Sequence, residues 1–130
     1  MIPIGTNGQF ALIPQEEGKF DISAHGKRAG VLYVRTNQTP LNAAYHGHIE
    51  YEIARSYRGM GLARQACEAI KPVLAARGIA SLHITCATTN TASKKTIEKL
   101  GCKFIGEITL PTGETRLRFL WKIQPATLNS

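Results

Sequence analysis

Residues 48–74, HIEYEIARSYRGMGLARQACEAIKPVL, decide how this chain folds. The first six alternate polar and apolar, His48-Ile49-Glu50-Tyr51-Glu52-Ile53, the two-residue period of a strand with one buried face. From Leu62 the period changes. Leu62, Ala63, Ala66, Cys67, Ile70, Val73 and Leu74 recur at steps of three and four, while Arg64, Gln65, Glu68 and Lys71 fall on the other side. A strand therefore feeds a helix through SYRGMG, a turn with two glycines and an arginine. Gly59 and Gly61 let the backbone turn sharply and let a ligand come close. The first helical turn, from Gly61 to Arg64, carries N–H groups without intrahelical partners. With the positive helix end they make an anion site. Arg58 and Arg64 flank it with forks suited to phosphate. The plainer alternative is a glycine-rich turn with solvent-facing arginines. Pro72, inside the helical pattern, predicts a kink.

Familiar phosphate loops do not fit this turn. No GxxxxGK[ST] string occurs, and a GxGxxG fingerprint fails because Arg64 stands at its third glycine.

Upstream, 10–13 is a short apolar run closed by PQEEG (14–18). Residues 19–24 alternate, HGK (25–27) is a hairpin turn, and 29–35 is the partner strand. TNQTPLNAAYHG (36–47) reads as a loop. Downstream, 81–86 alternates as a strand, and Thr89 or Asn90 caps a helix that runs to about Leu100 and stops at Gly101. Residues 104–110 and 115–123 are strands around a PTG turn. Residues 1–8 and 125–130 read as loose ends. The order β-β-β-β-α-β-α-β-β predicts a mixed sheet with helices packed on it, an α/β or α+β domain.

At 130 residues, with 43% hydrophobic and 19% charged residues, the chain is expected to be one soluble domain, 1–130, with its own core. No run of 18 apolar residues is present and the start is not a signal peptide, so neither a membrane partner nor export is expected. Cys67, Cys86 and Cys102 form no CxxC pair and are odd in number. They read as small buried thiols in a reducing cytoplasm. No His, Cys, Asp or Glu set has metal-ligand spacing, so no metal is expected. Sixteen Lys and Arg against nine Asp and Glu give a formal net charge of +7. That favours an anionic partner: nucleic acid, an acidic protein or a polyphosphate-bearing small molecule. The basic residues are scattered, which argues against nucleic acid.

Two stretches together resemble a known family. Arg58-Gly59-Met60-Gly61-Leu62-Ala63 is similar to R/Q-x-x-G-x-G/A, the acetyl-CoA pyrophosphate loop of the GCN5-related N-acetyltransferases (GNAT). NTASKKTIEKLGC (90–102) resembles that family's second stretch, N-x-x-[AS]-x-[RK]-x-[YL]-E-K-L-G-F. The resemblance covers roughly 29–123. Ser93 and Ile97 look most like the branch that acetylates the N-termini of ribosomal proteins, the RimJ/RimL-like branch.

The resemblance implies a mostly antiparallel mixed sheet, acetyl-CoA as co-substrate and transfer of acetyl to a primary amine: a protein N-terminus, a lysine or a small amine. Backbone amides from Met60 to Arg64, including Gly61, Leu62 and Ala63, would hold the pyrophosphate. Main chain at Ile53, Ala54 and Arg55 would pair with the pantetheine arm where two strands splay, and a strand N–H would polarise the thioester carbonyl. Asn90 would reach the pantetheine or the region of the sulfur, and Lys95 a CoA phosphate.

The match is incomplete in three places. Many members carry a tyrosine acid where this chain has Ile97, and Ser93 is the substitute hydrogen-bond donor to the leaving thiolate. For the base, His48, Glu50 and Glu52 share one face of the fourth strand, with Glu50 favoured, acting through a water. Finally, the family places one or two helices between its first two strands, whereas PQEEG leaves no room for one. The shortened N-terminal region predicts an acceptor side that is open, or completed by 36–47, or by a second subunit in a homodimer. A non-catalytic acyl-CoA-binding or sensing module on the same fold is the alternative to an enzyme.

Overall fold

The computed structural model describes residues 3–4 and 9–124. Most of the expected loose ends at 1–8 and 125–130 lie outside the described residues. Ile4 lies inside them and exchanges backbone hydrogen bonds with Leu12, at 2.7 and 2.9 Å, so it is a strand partner rather than a loose end.

Among the described residues seven strands form one sheet: β1 (Phe10–Glu16), β2 (Lys19–Ala24), β3 (Lys27–Val34), β4 (Ile49–Ile53), β5 (Ser81–Ala87), β6 (Lys103–Thr109) and β7 (Thr115–Lys122). Their spatial order is β1-β2-β3-β4-β5-β7-β6. All neighbours are antiparallel except β4 and β5, giving the mixed, mostly antiparallel sheet expected. β1 and β2 pair directly, with no helix between them. Pro14 is tolerated in β1 because that strand is an edge and bulges between Pro14 and Glu16. His25 and Gly26 join β2 to β3 at φ 53° and 79°, the positive values of a tight hairpin whose twist matches its strands.

The segment 36–47 is not all loop. It holds a helix, α1 (Pro40–His46). Thr39 caps it, its side-chain oxygen accepting from the Asn42 N–H at 3.2 Å. Pro40 opens it and Gly47 ends it. Ala43 is its buried residue.

The other helices are α2 (Leu62–Ala76) and α3 (Thr91–Lys99). α2 buries Leu62, Ala63, Ala66, Cys67, Ile70 and Leu74, the three- and four-residue stripe read in the sequence. α2 continues through Pro72, whose side is exposed, so water can take the Glu68 carbonyl that the proline leaves unpaired. The core under α2 and α3 includes Trp121, Phe119, Ile84, Leu32 and Ile97. No helix among the described residues is long and apolar enough to cross a membrane.

Candidate active site

The site begins where the sheet opens. β4 and β5 run parallel but are in register only at Ile49 and Ile84. Beyond that pair β4 keeps β3 on one side and, among the described residues, has no strand partner on the other. Ala54 N–H donates to the Ala29 carbonyl and Arg35 N–H to that of His48, at 2.8 and 2.7 Å. Because β3 and β4 are antiparallel, these bonds fix the alternation: the main chain of Glu50 and Glu52 faces β3, and that of Tyr51 and Ile53 faces the opening.

Two cavities flank this opening. The larger, about 720 Å³, runs from β4 across the start of α2 to α3. One part of its wall is made by Gly59, Gly61 and the first turn of α2. Gly61 caps α2 at φ 73° and ψ 19° without any side-chain cap. A Cβ on Gly59 or Gly61 would meet no protein atom within 4 Å. Packing therefore does not demand glycine there. The left-handed backbone does, and the free space beside it faces the cavity. No acidic residue lies in the first turn of α2 to occupy its N–H groups.

Four cations line this cavity: Arg58, Arg64, Lys95 and Lys99. Arg58 Nε donates to the Ile53 carbonyl at 2.9 Å, which holds the guanidinium at the rim. Arg64 pairs with Glu68 at 3.1 Å, both about half exposed. Such an i,i+4 pair is worth only about 0.3–0.5 kcal/mol, so Arg64 can turn to a phosphate.

The smaller cavity, about 270 Å³, lies between β4, β5 and the end of α1. It presents the Glu50 carboxylate, His46, Thr85 and the Arg116 guanidinium. Arg116 is held by Thr85 Oγ1 at 3.1 Å and Glu114 at 3.0 Å. Glu50 accepts from Arg35 at 2.7 Å, and Arg35 sits over the Tyr33 ring at 4.8 Å. The two cavities share Glu50, Tyr51, Asn90 and Ser93. At this junction the Tyr51 and Ser93 hydroxyls are 2.8 Å apart. Burial pushes the Tyr51 phenol up to about 12. Asn90 caps α3, its Oδ1 accepting from Ser93 N–H at 3.0 Å, and so fixes Ser93 in the first turn.

The structure brings most of the expected residues together. Glu50 and Ser93 stand at the junction. Ile53, Arg58, Gly59, Gly61, Leu62, Ala63, Arg64, Asn90 and Lys95 line the larger cavity. Ala54, Arg55 and Met60 do not line it. The Ala54 N–H is already given to Ala29, Arg55 starts a 3-10 turn (Arg55–Tyr57), and Met60 is an exposed residue. The main chain that faces the opening belongs to Tyr51 and Ile53, and the Ile53 carbonyl is taken by Arg58. Among the base candidates, Glu52 lines the larger cavity. His48 lines neither cavity, because its Nδ1 accepts the His83 N–H at 2.9 Å and ties β4 to β5. Burial, then the neighbouring His83, lowers its pKa. Ile97, at the family's tyrosine position, is fully buried in the core.

Several lining residues do not stand out in the sequence: Tyr51, His46, Arg116, Thr96 and Lys99. Lys99 is legible in principle. Ala92, Lys95, Thr96 and Lys99 repeat at three- and four-residue steps, one face of α3. His46 is also within reach, since Thr39, Pro40 and Gly47 are start and stop signals for a helix. Among the described residues no group of three or more His, Cys, Asp or Glu is placed to hold a metal. Cys67, Cys86 and Cys102 are free thiols, and burial pushes Cys67 and Cys102 up to about 12.

Solved structures share this architecture. The acetyltransferase from Salmonella typhimurium that modifies the N-terminal serine of ribosomal protein L7/L12 superposes with a TM-score of 0.67 at 22% identity, over 90% of this chain and 66% of that one. A RimL ribosomal L7/L12 alpha-N-protein acetyltransferase gives 0.63 at 22% identity, over 87% and 60%. This chain thus spans less than two thirds of either. A GNAT-family acetyltransferase from Bordetella pertussis gives 0.69 at 15% identity, over 90% of this chain and 98% of that one. At these identities the likeness establishes the fold. No curated protein sequence matches the chain. The model of the acetyltransferase (GNAT) domain matches residues 9–103, most of the chain. With that match over the strand, glycine turn and helices that build both cavities, the chain belongs to the GNAT acetyltransferase domain family.

Proposed function

We propose that this chain is an N-acetyltransferase that moves acetyl from acetyl-CoA to a primary amine by direct attack on the thioester. The observation that carries the reading is the meeting of two cavities at the opening between β4 and β5. The larger takes CoA. The first-turn amides of α2 hold the pyrophosphate, with Arg58, Arg64, Lys95 and Lys99 around the phosphates. The main chain of Tyr51 and the N–H of Ile53 pair with the pantetheine, and one of these N–H groups polarises the thioester carbonyl. The smaller cavity takes the amine. Glu50, at the junction, removes the amine proton directly or through a water.

An α-amino acceptor suits this site better than a lysine side chain. An α-amino group titrates near 7.7–8.0, so much of it is already neutral at about pH 7.5, whereas a lysine near 10.4 needs strong help. The RimL neighbours act on the N-terminus of a ribosomal protein, and a protein N-terminus is an acceptor of this kind.

A non-catalytic acyl-CoA-binding module remains the second reading, favoured by Ile97, which is buried and has no proton to give. Release of free CoA thiol, measured against a panel of peptides, lysine and small amines, separates the two. Acceptor-dependent thiol release supports the enzyme, and tight acetyl-CoA binding without any such release supports the module.

The α1 wall gives a further expectation. Thr39→Ala should cost about 1 kcal/mol of local stability. It should speed amide exchange across 40–46 and raise the acceptor KM, with acetyl-CoA affinity unchanged. An unchanged KM despite faster exchange would remove α1 from the acceptor site.

A further inference from the structure

We propose that Tyr51 is a positioning residue: its hydroxyl donates to the Ser93 oxygen, leaving the Ser93 proton free to point at the CoA sulfur. The inference rests on the acetyl-transfer reading of the site. It answers what that reading leaves open, namely how a lone serine hydroxyl serves a leaving thiolate.

The geometry is specific. Tyr51 and Ser93 come from β4 and α3, both line both cavities, and their oxygens are 2.8 Å apart. Each hydroxyl has one proton, so the pair can hydrogen-bond in only one sense at a time. If Ser93 donated to Tyr51, it would have nothing left for the sulfur. Two facts favour the opposite sense. A phenol is a far stronger acid than an alkyl alcohol and so the better donor, while the serine oxygen is the better acceptor. Thr96, three residues along α3, also stands against the phenol and can supply a proton to its oxygen. The groups facing the phenol are Ser93 and Thr96 from α3, Cys67 from α2 and Cys86 from β5. Burial keeps the phenol protonated, pushed up to about 12, so it stays a neutral donor in the working range.

The neutral amine attacks the thioester carbonyl and its surplus proton passes to Glu50. The tetrahedral intermediate collapses and the C–S bond breaks, its electron pair going to sulfur. The Ser93 O–H stabilises the thiolate by a hydrogen bond rather than by ionising. The proton held by Glu50 reaches the thiolate through solvent, giving amide and CoA thiol.

Tyr51→Phe keeps the ring that packs against the core and removes only the hydroxyl. It should lower kcat about tenfold, with acetyl-CoA affinity by calorimetry and Tm close to wild type. Ser93→Ala should lower kcat at least as much, and the double variant should fall no further than Ser93→Ala alone. A second readout needs no acceptor. The ultraviolet absorbance of bound CoA thiolate, followed against pH, should show the thiol titrating lower on the wild type than in free CoA. It should move back up in both single variants. A thiol titration that is the same in all three proteins overturns the proposal, as does a double variant whose losses multiply. If the thiolate signal shifts as expected while no amine releases CoA, the hydroxyl pair stands and the acetyl-transfer reading fails.

Discussion

Gly61→Asp is expected to abolish acetyl-CoA binding and leave the fold standing. Gly61 sits at φ 73°, and a Cβ added there meets no protein atom within 4 Å, so the new side chain has room in the free protein. It also sits at the N-terminus of α2, where an acidic side chain is favourable to the helix. Aspartate tolerates the left-handed region better than most residues. Tm should therefore move by only a few degrees. The ligand fares differently. The carboxylate enters the space the pyrophosphate would fill and takes the amides it would use. Two like charges about 4 Å apart repel by about 4 kcal/mol at a surface dielectric, roughly a thousandfold in affinity before any steric clash is added. Calorimetry on the folded variant decides the matter: near-normal affinity would remove the glycine turn from the CoA site.

The second large effect is expected from Glu50→Gln. General base catalysis contributes about 10²–10⁴ in rate, so kcat/KM for the amine should fall at least about a hundredfold with acetyl-CoA affinity unchanged. Glu50 is also in an ion pair with Arg35, with side chains 58% and 41% exposed. Exposed pairs of this kind are worth about 0–1 kcal/mol, so loss of the pair leaves the protein folded. Arg35→Ala separates the two roles. It removes the pair and keeps the carboxylate, so activity should persist. If both variants lose activity equally, Glu50 matters as half of an ion pair and the base lies elsewhere. Glu52 is then the next candidate, because it lines the larger cavity and His48 lines neither.

Local features of the chain are legible because they depend on local chemistry. The change from a two-residue to a 3.6-residue period places β4 and α2, and two glycines between them mark a left-handed turn. Asn90 is readable as a cap because its side chain serves an N–H three residues away. The α1 helix reads as loop in the sequence although its cap signals are present. At seven residues it is too short to show a stripe, and its stability comes from packing on the sheet.

The sequence alone determined the strands, the two long helices, the glycine turn between β4 and α2 and the family resemblance, each carried by residues within a few positions of one another. Only the tertiary structure decided which main chain faces the opening, because that follows from the register of β4 against β3 and from the loss of pairing with β5. In that register Tyr51 and Ile53 turn toward the opening, while the Ala54 N–H is given to Ala29. Only the fold could bring Tyr51 to Ser93, 42 positions along the chain. In the strand pattern Tyr51 is one more apolar residue on the inward face. Its hydroxyl gains a partner only when the fold brings the first turn of α3 to the middle of β4.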